Sequence, residues 1–315
     1  MIDLEKILTV RGLTKSFKEH KVLKGISFEV GRGEILCFLG PNGAGKSTTI
    51  HILTAALQSD EGEVLYKGQD IGKQLRSYKK QLGVVPQEIA LYEELSAERN
   101  VLFFASLYGL RGQELARAAE EALELAGLTD RRHDKVKTFS GGMKRRLNIA
   151  CAVAHKPELV IMDEPTVGID PQSRNHILDC IQRLRHNGMT VLYTTHYMEE
   201  VEAISTRIII MDHGAIIAEG TKESLKEDIR DEQRYFIEVE EINAVQEDEF
   251  YSIEGVKSIH IKDHVIEVVS LKNIENLDSV IALFSDKKVK IRNIATASAS
   301  LETVFLKLTG RKLRD

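Results

Sequence analysis

The chain has 315 residues, of which 43% are hydrophobic and 29% charged, a balance typical of a folded protein with a substantial core. Its net charge of −5 argues against a broad surface for nucleic acid or anionic membranes. No apolar run approaches the roughly 20 residues that span a bilayer, and the acidic N-terminus lacks a signal-peptide core, so we expect a cytosolic protein.

The three cysteines each lie in an apolar segment that reads as part of a regular element. Cys37, Cys151 and Cys180 form no C-x-x-C spacing. We therefore expect reduced, buried thiols rather than a disulfide or a metal site.

Short apolar segments alternate with helical patterns over about the first 230 residues. Residues 26–30 and 34–40 predict strands. A helix is predicted over residues 173–187, which follow Pro171 and precede Gly188. Further strands are predicted at residues 159–164, 190–196 and 207–212, and their continuous apolar character suits a sheet buried on both faces. This alternation predicts an α/β fold.

A glycine-rich segment, GPNGAGKST at residues 40–48, joins the second strand to an apolar helix with the spacing G-x-x-x-x-G-K-[ST]. Gly43 and Gly45 let backbone N–H groups converge on phosphate oxygens, and the helix N-terminus favours negative charge. Lys46 is expected to reach the β- and γ-phosphates, and Ser47 to ligate Mg²⁺. The strand–loop–helix context disfavours the alternative of a chance glycine turn.

Two acids end the strand at residues 159–164. Asp163 and Glu164 fall at the carboxyl edge of the predicted sheet, where such folds bind ligands. We expect Asp163 to hold Mg²⁺ through water, and Glu164 to act as general base for an attacking water. Adjacent acids at a strand end also commonly cap a turn, and the glycine loop favours the functional interpretation.

Two further polar residues end strands. His196 ends TVLYTTH and Gln87 ends LGVVPQ. In a phosphate-binding fold His196 could contact the γ-phosphate and orient water, and Gln87 could sense Mg²⁺ and water. Taken alone, each is more simply an ordinary polar side chain.

A second glycine stretch lies in KTFSGGMKRRL, residues 137–147. Ser140 is suited to cap a helix that begins near Gly141, which would leave N–H groups free for another phosphate. The basic run Lys144-Arg145-Arg146 favours a solvated helix face over a contribution to that phosphate field.

Taken in order, these motifs resemble the nucleotide-binding subunit of an ATP-binding cassette (ABC) transporter over about residues 7–225. Residues 139–143, FSGGM, resemble that family's LSGGQ signature, and residues 167–172, VGIDPQ, resemble its D-loop. Met143 departs from the usual Gln, and Phe17 replaces the usual Tyr in the adenine-stacking position, where core packing is the alternative for its ring. The resemblance implies a P-loop NTPase fold with a helical subdomain, at about residues 88–155.

The family's domains dimerise head to tail, with each ATP between the glycine loop of one chain and the signature of the other. The two glycine stretches would thus serve different ATP molecules, and the dimer would open on hydrolysis. The implied ATP contacts are Phe17, Gly40, Pro41, Asn42, Gly43, Ala44, Gly45, Lys46, Ser47, Thr48, Ser140, Gly141, Gly142 and Asp170. The implied Mg²⁺ ligands are Ser47, Gln87 and Asp163. The implied catalytic residues are Lys46, Gln87, Glu164 and His196.

The resemblance divides the chain into a cassette at residues 1–228 and an accessory α+β domain at residues 229–315. A charged linker is predicted at residues 223–234. The texture after it, with strands at 235–240, 256–261, 264–270 and 289–295 and helices near 242–251 and 273–285, indicates a β-α-β-β-α-β, ferredoxin-like order followed by a last helix at 301–310. Regulation or added dimer contact by this domain is a hypothesis.

The helical subdomain would receive a helix of a separate membrane permease, since the cassette itself has no spanning segment. The apolar surface at residues 91–110 is the candidate docking site, with internal packing as the alternative for each residue.

The ending SLETVFLKLTG and the segment EPTVGIDPQSR resemble two-component exporter ATPases. We therefore expect an ATP-hydrolysing subunit at the cytoplasmic side of the membrane, held there by its permease, with no nucleic-acid partner. Drug or antibiotic export is favoured, and sodium, lipid or polysaccharide export stays open.

Three other function classes fit less well. A DNA-repair cassette would need a long coiled-coil insertion, and only about fifty residues separate Gln87 from Ser140. A ribosome-acting cassette factor would need two cassettes in tandem. An ATP-binding scaffold without turnover is disfavoured by the intact set Lys46, Asp163, Glu164 and His196.

Overall fold

The computed structural model describes residues 5–228, 232–240, 245–262, 264–271, 274–297 and 300–310. Contacts divide the chain into two compact units, one comprising the residues up to Lys222 together with the segment from Leu308 onward, and the other comprising Glu223–Lys307. This division falls shortly before the boundary at 228/229 that the sequence predicted. None of the helices in these described ranges is long and apolar enough to cross a bilayer.

Strands and helices alternate in the first unit. The strands are β1 (Lys6–Phe17), β2 (His20–Gly31), β3 (Ile35–Leu39), β4 (Glu61–Tyr66), β5 (Gln69–Asp70), β6 (Leu82–Val85), β7 (Leu159–Asp163), β8 (Thr190–Thr195), β9 (Arg207–Asp212) and β10 (Ala215–Gly220). The helices are α1 (Lys46–Leu53), α2 (Leu75–Lys80), α3 (Ala97–Leu107), α4 (Gly112–Leu125), α5 (Gly141–Val153), α6 (Pro171–His186) and α7 (Met198–Ile204). All the strands predicted in this unit are present, so the predicted α/β character is confirmed.

The strands form two sheets. An antiparallel sheet has the order β2-β1-β4-β5. A larger sheet has the order β10-β9-β3-β8-β7-β6 and is parallel except for the edge pair β9–β10. Every residue of β3, β7 and β8 is buried, in agreement with the prediction of a sheet covered on both faces.

The register of the parallel sheet brings three chain segments to one edge. Leu39 at the end of β3 pairs with Thr195 of β8, and Asp163 at the end of β7 pairs with Thr194. The segments that follow these strands therefore emerge side by side, at the carboxyl edge where ligands bind in such folds.

The helix after β7 begins two residues earlier than the predicted start at residue 173. Asp170 caps α6 by accepting a hydrogen bond from Ser173 N at 2.9 Å, and Pro171 occupies its first turn. Proline suits that position because its fixed φ is helical and its missing N–H would have no partner there.

The helices α3, α4 and α5 pack on one another through small side chains. Their shared core contains Val101, Leu123 and Leu147 together with many alanines, which allow close helix approach. They lie between β6 and β7, within residues 88–155, where the resemblance implied a helical subdomain.

The second unit has a small antiparallel sheet. Its elements, with the helix that begins at the boundary, are α8 (Lys222–Asp228), β11 (Glu232–Val239), α9 (Glu247–Phe250), β12 (Val256–Lys262), β13 (Val265–Leu271), α10 (Leu277–Asp286), β14 (Ile291–Ala297) and α11 (Leu301–Thr309). The strand order is β12-β13-β11-β14, and the element order from β11 to β14 is the β-α-β-β-α-β order that the sequence indicated.

Some element predictions in this region were wrong. The proposed linker at residues 223–234 instead contains α8 and the start of β11, because its Lys, Glu and Leu residues are good helix formers. The helix predicted near 242–251 is limited to Glu247–Phe250 in the described residues, and 241–244 lie outside them. The helix predicted at 273–285 begins at Leu277, since the buried side chain of Asn276 bonds to Glu254 O and Ser270 Oγ just before it.

The cysteine prediction is confirmed. Cys37, Cys151 and Cys180 are all free and buried. Burial raises the pKa of each thiol well above its usual value, so these groups stay protonated and behave as small apolar side chains.

Candidate nucleotide site

The three segments at the edge of the parallel sheet enclose a cleft of about 430 Å³. The glycine loop follows β3, Glu164 follows β7 and His196 follows β8, and Gln87 lies just beyond β6. The side chains and loops that line the cleft belong to His20, Val22, Asn42, Gly43, Gly45, Lys46, Ser47, Thr48, Gln87, Glu164, Val167 and His196.

The glycine loop needs its glycines for two different reasons. Gly43 has a φ of 81° with open space around it, so there the left-handed backbone is the requirement. Gly45 has a φ of 103°, and a Cβ on it would also lie 2.7 Å from Leu23 Cδ2. Gly40 is needed for close approach, because a Cβ there would lie 2.4 Å from Met211 O. The loop thus delivers the N-terminus of α1 to the cleft, where its unpaired N–H groups suit an anion.

Lys46 supplies a buried positive charge at the base of this loop. Only 5% of its side chain is exposed. Its Nζ donates hydrogen bonds to Gly40 O at 2.8 Å and Pro41 O at 3.2 Å, and lies 3.1 Å from Glu164 Oε1. The ammonium group is therefore held in place by the loop that it closes.

Asp163 and Ser47 bring two hard oxygen ligands together. Thr194 Oγ1 donates to Asp163 Oδ1 at 2.6 Å, and Ser47 Oγ donates to the same oxygen at 3.3 Å. Asp163 is buried, so these bonds fix its carboxylate beside the first turn of α1. A carboxylate and a hydroxyl beside a phosphate site are the ligand types that Mg²⁺ prefers, so these residues fit that ion.

Glu164 is buried in an unusual backbone conformation. Its φ is 43°, and its N–H bonds to the backbone and hydroxyl oxygens of Thr194 at 3.2 and 3.0 Å. Its carboxylate lies between Lys46 and His196, whose Nδ1 is 3.3 Å from Oε2 without hydrogen-bond geometry. The partners of the carboxylate lie across the cleft, so the alternative of a turn-capping acid does not describe this side chain.

Gln87 lines the same cleft and is anchored from α5. The guanidinium of Arg145 donates to Pro86 O at 2.7 Å and to Gln87 O. This contact fixes the backbone at the end of β6 and leaves the side chain of Gln87 to face the cleft.

Phe17 is not a core residue, so that alternative for its ring is wrong. It is 48% exposed at the end of β1, with Lys15 Nζ 5.7 Å from the ring centre. Near the β1–β2 hairpin the cleft is lined by His20 and Val22 of β2, and not by Phe17. The sequence analysis did not predict these two residues. The sequence signal was the turn after Phe17, which brings the chain back past the glycine loop.

Comparison with known proteins identifies the family. The ABC transporter sequence model matches residues 23–167. The linearmycin resistance ATP-binding protein LnrL of Bacillus subtilis is 43% identical over 98% of this chain and all of its own length. The chain belongs to the ABC transporter family.

Other relatives and solved structures agree with this assignment. The doxorubicin resistance ATP-binding protein DrrA of Mycobacterium tuberculosis is 40% identical over 70% of this chain and 67% of its own. The solved ATP-binding subunit of an ABC transporter is 31% identical with a TM-score of 0.64, covering 70% of this chain and 92% of its own. This ABC protein is therefore an ATP-binding and ATP-hydrolysing cassette, and the P-loop fold expected for its first unit is confirmed.

The segment that resembles the family's signature, residues 139–143, lies outside the cleft that the glycine loop lines. Ser140 is exposed and caps α5 by accepting a hydrogen bond from Met143 N at 3.3 Å. Gly141 is also exposed. Gly142 is buried, and a Cβ on it would lie 2.2 Å from Ser173 Oγ of α6. Its absent side chain thus allows α5 and α6 to pack closely, a role that the sequence did not suggest.

Asp170 of the D-loop segment likewise lies apart from the cleft lining. It is exposed, and its carboxylate caps α6 by accepting from Ser173 N. Hydrogen bonds from the backbone and side chain of Ser173 hold the pKa of Asp170 below its usual value, so it is an anion at neutral pH.

The solvated-face prediction for residues 144–146 was wrong for two of the three. Arg145 is buried, and Arg146 is partly buried and donates to Ala126 O at 2.7 Å and Gly127 O at 3.2 Å. Both guanidinium groups donate hydrogen bonds to backbone carbonyl oxygens, and these bonds compensate for the loss of water around the buried charge. Lys144 forms a surface ion pair with Glu93.

Proposed function

We propose that this ABC protein powers a separate membrane permease that exports an antibiotic or a similar toxic small molecule. The observation that carries this proposal is the 43% identity to the linearmycin resistance protein over its whole length. Relatives with daunorubicin and doxorubicin resistance in their names support the same class of cargo. Export of another cargo is the second candidate, because the Nod factor export ATP-binding protein I of a Rhizobium species is 35% identical over 97% of this chain.

The geometry of the cleft supports a division of roles. The loop from Gly40 to Thr48 would hold the phosphates through its N–H groups, and Lys46 would neutralise the terminal phosphates. Ser47 and Asp163 would hold Mg²⁺, with Gln87 close by. When bound, Mg²⁺ supplies positive charge that offsets the charge developing on the phosphate.

Glu164 is the proposed general base. Its carboxylate is buried in the lining of the cleft and lies close to His196, so a water held between the two side chains could give it a proton. His196 would orient that water and contact the terminal phosphate. Phe17 would stack on the adenine from the exposed side of the hairpin, beyond His20 and Val22.

A head-to-tail dimer would complete the site. Ser140 and Gly141 are exposed at the N-terminus of α5 and do not line their own chain's cleft. A second copy would therefore present them, with Asp170 nearby, to the ATP held by the first. One solved relative of this fold, 27% identical with a TM-score of 0.62 over 68% of this chain, is a dimeric cassette bound to ADP and Pi.

The docking site for the permease is proposed at an exposed apolar patch of the helical subdomain. Tyr92, Phe103 and Leu107 are 50%, 38% and 66% exposed, and the first two rings lie edge to face with centres 4.9 Å apart. A cytoplasmic helix of the permease is the proposed occupant. The patch is narrower than the predicted segment 91–110, since Val101 and Ala105 point into the subdomain core. This contact would hold the protein at the cytoplasmic face of the membrane.

Drug susceptibility tests the cargo class. A strain that lacks this gene should become sensitive to linearmycin, daunorubicin or doxorubicin, the antibiotics named for its relatives. The wild-type gene should restore resistance, while the Glu164→Gln gene should not. Unchanged susceptibility to all three, with the permease gene intact, would reject export of antibiotics of these kinds and favour another cargo.

A further inference from the structure

A buried carboxylate contacts the strand that leads to His196, and it lies outside the set of residues assigned to the nucleotide. Glu200 of α7 is completely buried. Its Oε2 accepts hydrogen bonds from Tyr193 Oη at 2.8 Å and Thr195 Oγ1 at 2.7 Å. Burying a carboxylate is unfavourable unless it is hydrogen-bonded and paired. Because an unsatisfied buried carboxylate would be strongly destabilising, the hydroxyl groups of Tyr193 and Thr195 are held in place as its donors.

Those groups belong to β8, which ends immediately before His196. Thr195 Oγ1 donates to Glu200 and also accepts from Tyr197 N at 2.9 Å, so one hydroxyl spans the residues on both sides of His196. Burial, with the charge of Glu200 next, raises the pKa of Tyr193 well above its usual value, so its phenol stays protonated and donates. The backbone that carries His196 is therefore pinned to α7.

A cation from α6 closes the arrangement. Arg174 Nε lies 3.4 Å from Glu200 Oε1, within ion-pair range but without hydrogen-bond geometry. The guanidinium carbon of Arg174 lies 4.5 Å from the centre of the Tyr197 ring. The Tyr197 ring in turn lies 4.2 Å from the ring of His196. A planar cation above an aromatic face is an attractive contact, so Arg174 restrains the ring against which His196 rests.

The helix that carries Arg174 begins at the D-loop segment. Asp170 caps α6, and Arg174 N bonds to Asp170 O at 2.9 Å, so the two residues share the first turn. A displacement of this turn would move the Arg174 guanidinium relative to Glu200 and Tyr197. The first turn of α6 is thus mechanically connected to His196.

We propose that Arg174 and Glu200 are positioning residues that hold His196 in its working orientation, through Thr195 and the Tyr197 ring. The inference rests on the proposed role of His196 in hydrolysis. It also gives the D-loop segment a route by which a second copy of this chain, arriving at α6, influences the hydrolytic site of the first.

Steady-state ATPase assays of the full chain with its permease test this directly. Arg174→Met keeps the length of the side chain but removes its charge and plane, and is expected to lower kcat by about 10- to 100-fold, since small misplacements of a reacting group have effects of that size. The KM for ATP should change by less than about threefold, because the nucleotide contacts are untouched. Arg174→Lys, which keeps the charge but not the planar stacking, should recover part of the loss. Arg183→Met, at an exposed arginine on the same helix, is the matched control and should match the wild type.

A double-mutant cycle separates this inference from the role of His196. If Arg174 acts through His196, adding Arg174→Met to His196→Ala should cause no further loss in single-turnover hydrolysis. If the double variant showed the full product of the two single-variant rate reductions, the positioning inference would be overturned, while the role of His196 would be unaffected. A His196→Ala variant with full turnover would instead reject the proposed role of His196.

The charge of Glu200 has its own test. Glu200→Gln keeps the shape and a hydrogen-bond acceptor for the two hydroxyl groups but loses the attraction to Arg174. We expect a folded protein with unchanged KM and a kcat reduced in the same direction as in Arg174→Met. A Glu200→Gln protein with wild-type kcat would remove Glu200 from the inference.

Discussion

Glu164 combines a left-handed backbone with a buried carboxylate, and both follow from where β7 ends. The φ of 43° costs about 1–3 kcal/mol in a residue other than glycine, a strain that the two hydrogen bonds from its N–H to Thr194 help to offset. In return the side chain is turned toward Lys46 and His196 instead of continuing along the strand. Backbone strain therefore aims the carboxylate into the cleft.

Glu164→Gln is predicted to bind ATP but to hydrolyse it about 10²- to 10⁴-fold more slowly, the usual contribution of a general base. The amide has the shape of the carboxylate but cannot accept the proton from water. The measurement is single-turnover hydrolysis beside nucleotide affinity.

Glu158→Gln is the control for removing a carboxylate. Glu158 forms ion pairs with Arg32 and Lys67 just before β7, and such partly exposed pairs contribute at most about 1 kcal/mol. Its variant should keep full activity. Undiminished turnover in Glu164→Gln would show that Glu164 is not the general base.

At the scale of elements, α5 connects the exposed segment at Ser140 to the part of the cleft lining at Gln87. Gly142, Arg145 and Ile149 are spaced three and four residues apart, so they share one buried face of the helix. Gly142 packs against Ser173 of α6, and Arg145 donates to the carbonyl groups of Pro86 and Gln87. Packing on that face presents Ser140 and Gly141 to solvent at the helix N-terminus.

Gly142→Ala is predicted to destabilise the fold by about 1–3 kcal/mol in urea unfolding, because its Cβ would overlap Ser173 Oγ at 2.2 Å and Cβ at 2.3 Å. The matched variant is Gly141→Ala, whose Cβ would meet Ile169 Cδ1 at an ordinary 3.7 Å and should leave stability almost unchanged.

Adding Ser173→Gly to Gly142→Ala should recover part of the loss, although a glycine inside a helix itself costs about 1 kcal/mol. Equal stability of the two alanine variants would show that the α5–α6 contact does not require glycine at position 142.

At the scale of the whole molecule, sequence spacing predicted whatever depends on local geometry. A few adjacent residues and the strand or helix beside them determine three features, so the sequence predicted them: the glycine loop, the acids at the end of β7 and the cap at Ser140. The burial of Arg145 and the packing role of Gly142 depend on α6 and on the Gln87 loop, which approach only in the folded chain. His20 and Val22 were missed for the same reason, because a hairpin turn rather than a motif brings them to the cleft.

The exposed end of α5 allows the dimer to be tested without disturbing the cleft. Ser140→Asp should keep the helix cap, since aspartate caps as well as serine, but would set a negative charge against the partner's terminal phosphate. In the hydrolysis-deficient Glu164→Gln background with ATP, we therefore predict that Ser140→Asp stays monomeric in light scattering while its nucleotide affinity is unchanged. Ser140→Asn caps the helix equally well but adds no charge. In the same Glu164→Gln background it should therefore dimerise as the parent does, whether or not the permease is present. If the aspartate variant formed the same ATP-dependent dimer, Ser140 would not face a phosphate across the interface, and the head-to-tail arrangement would have to be abandoned.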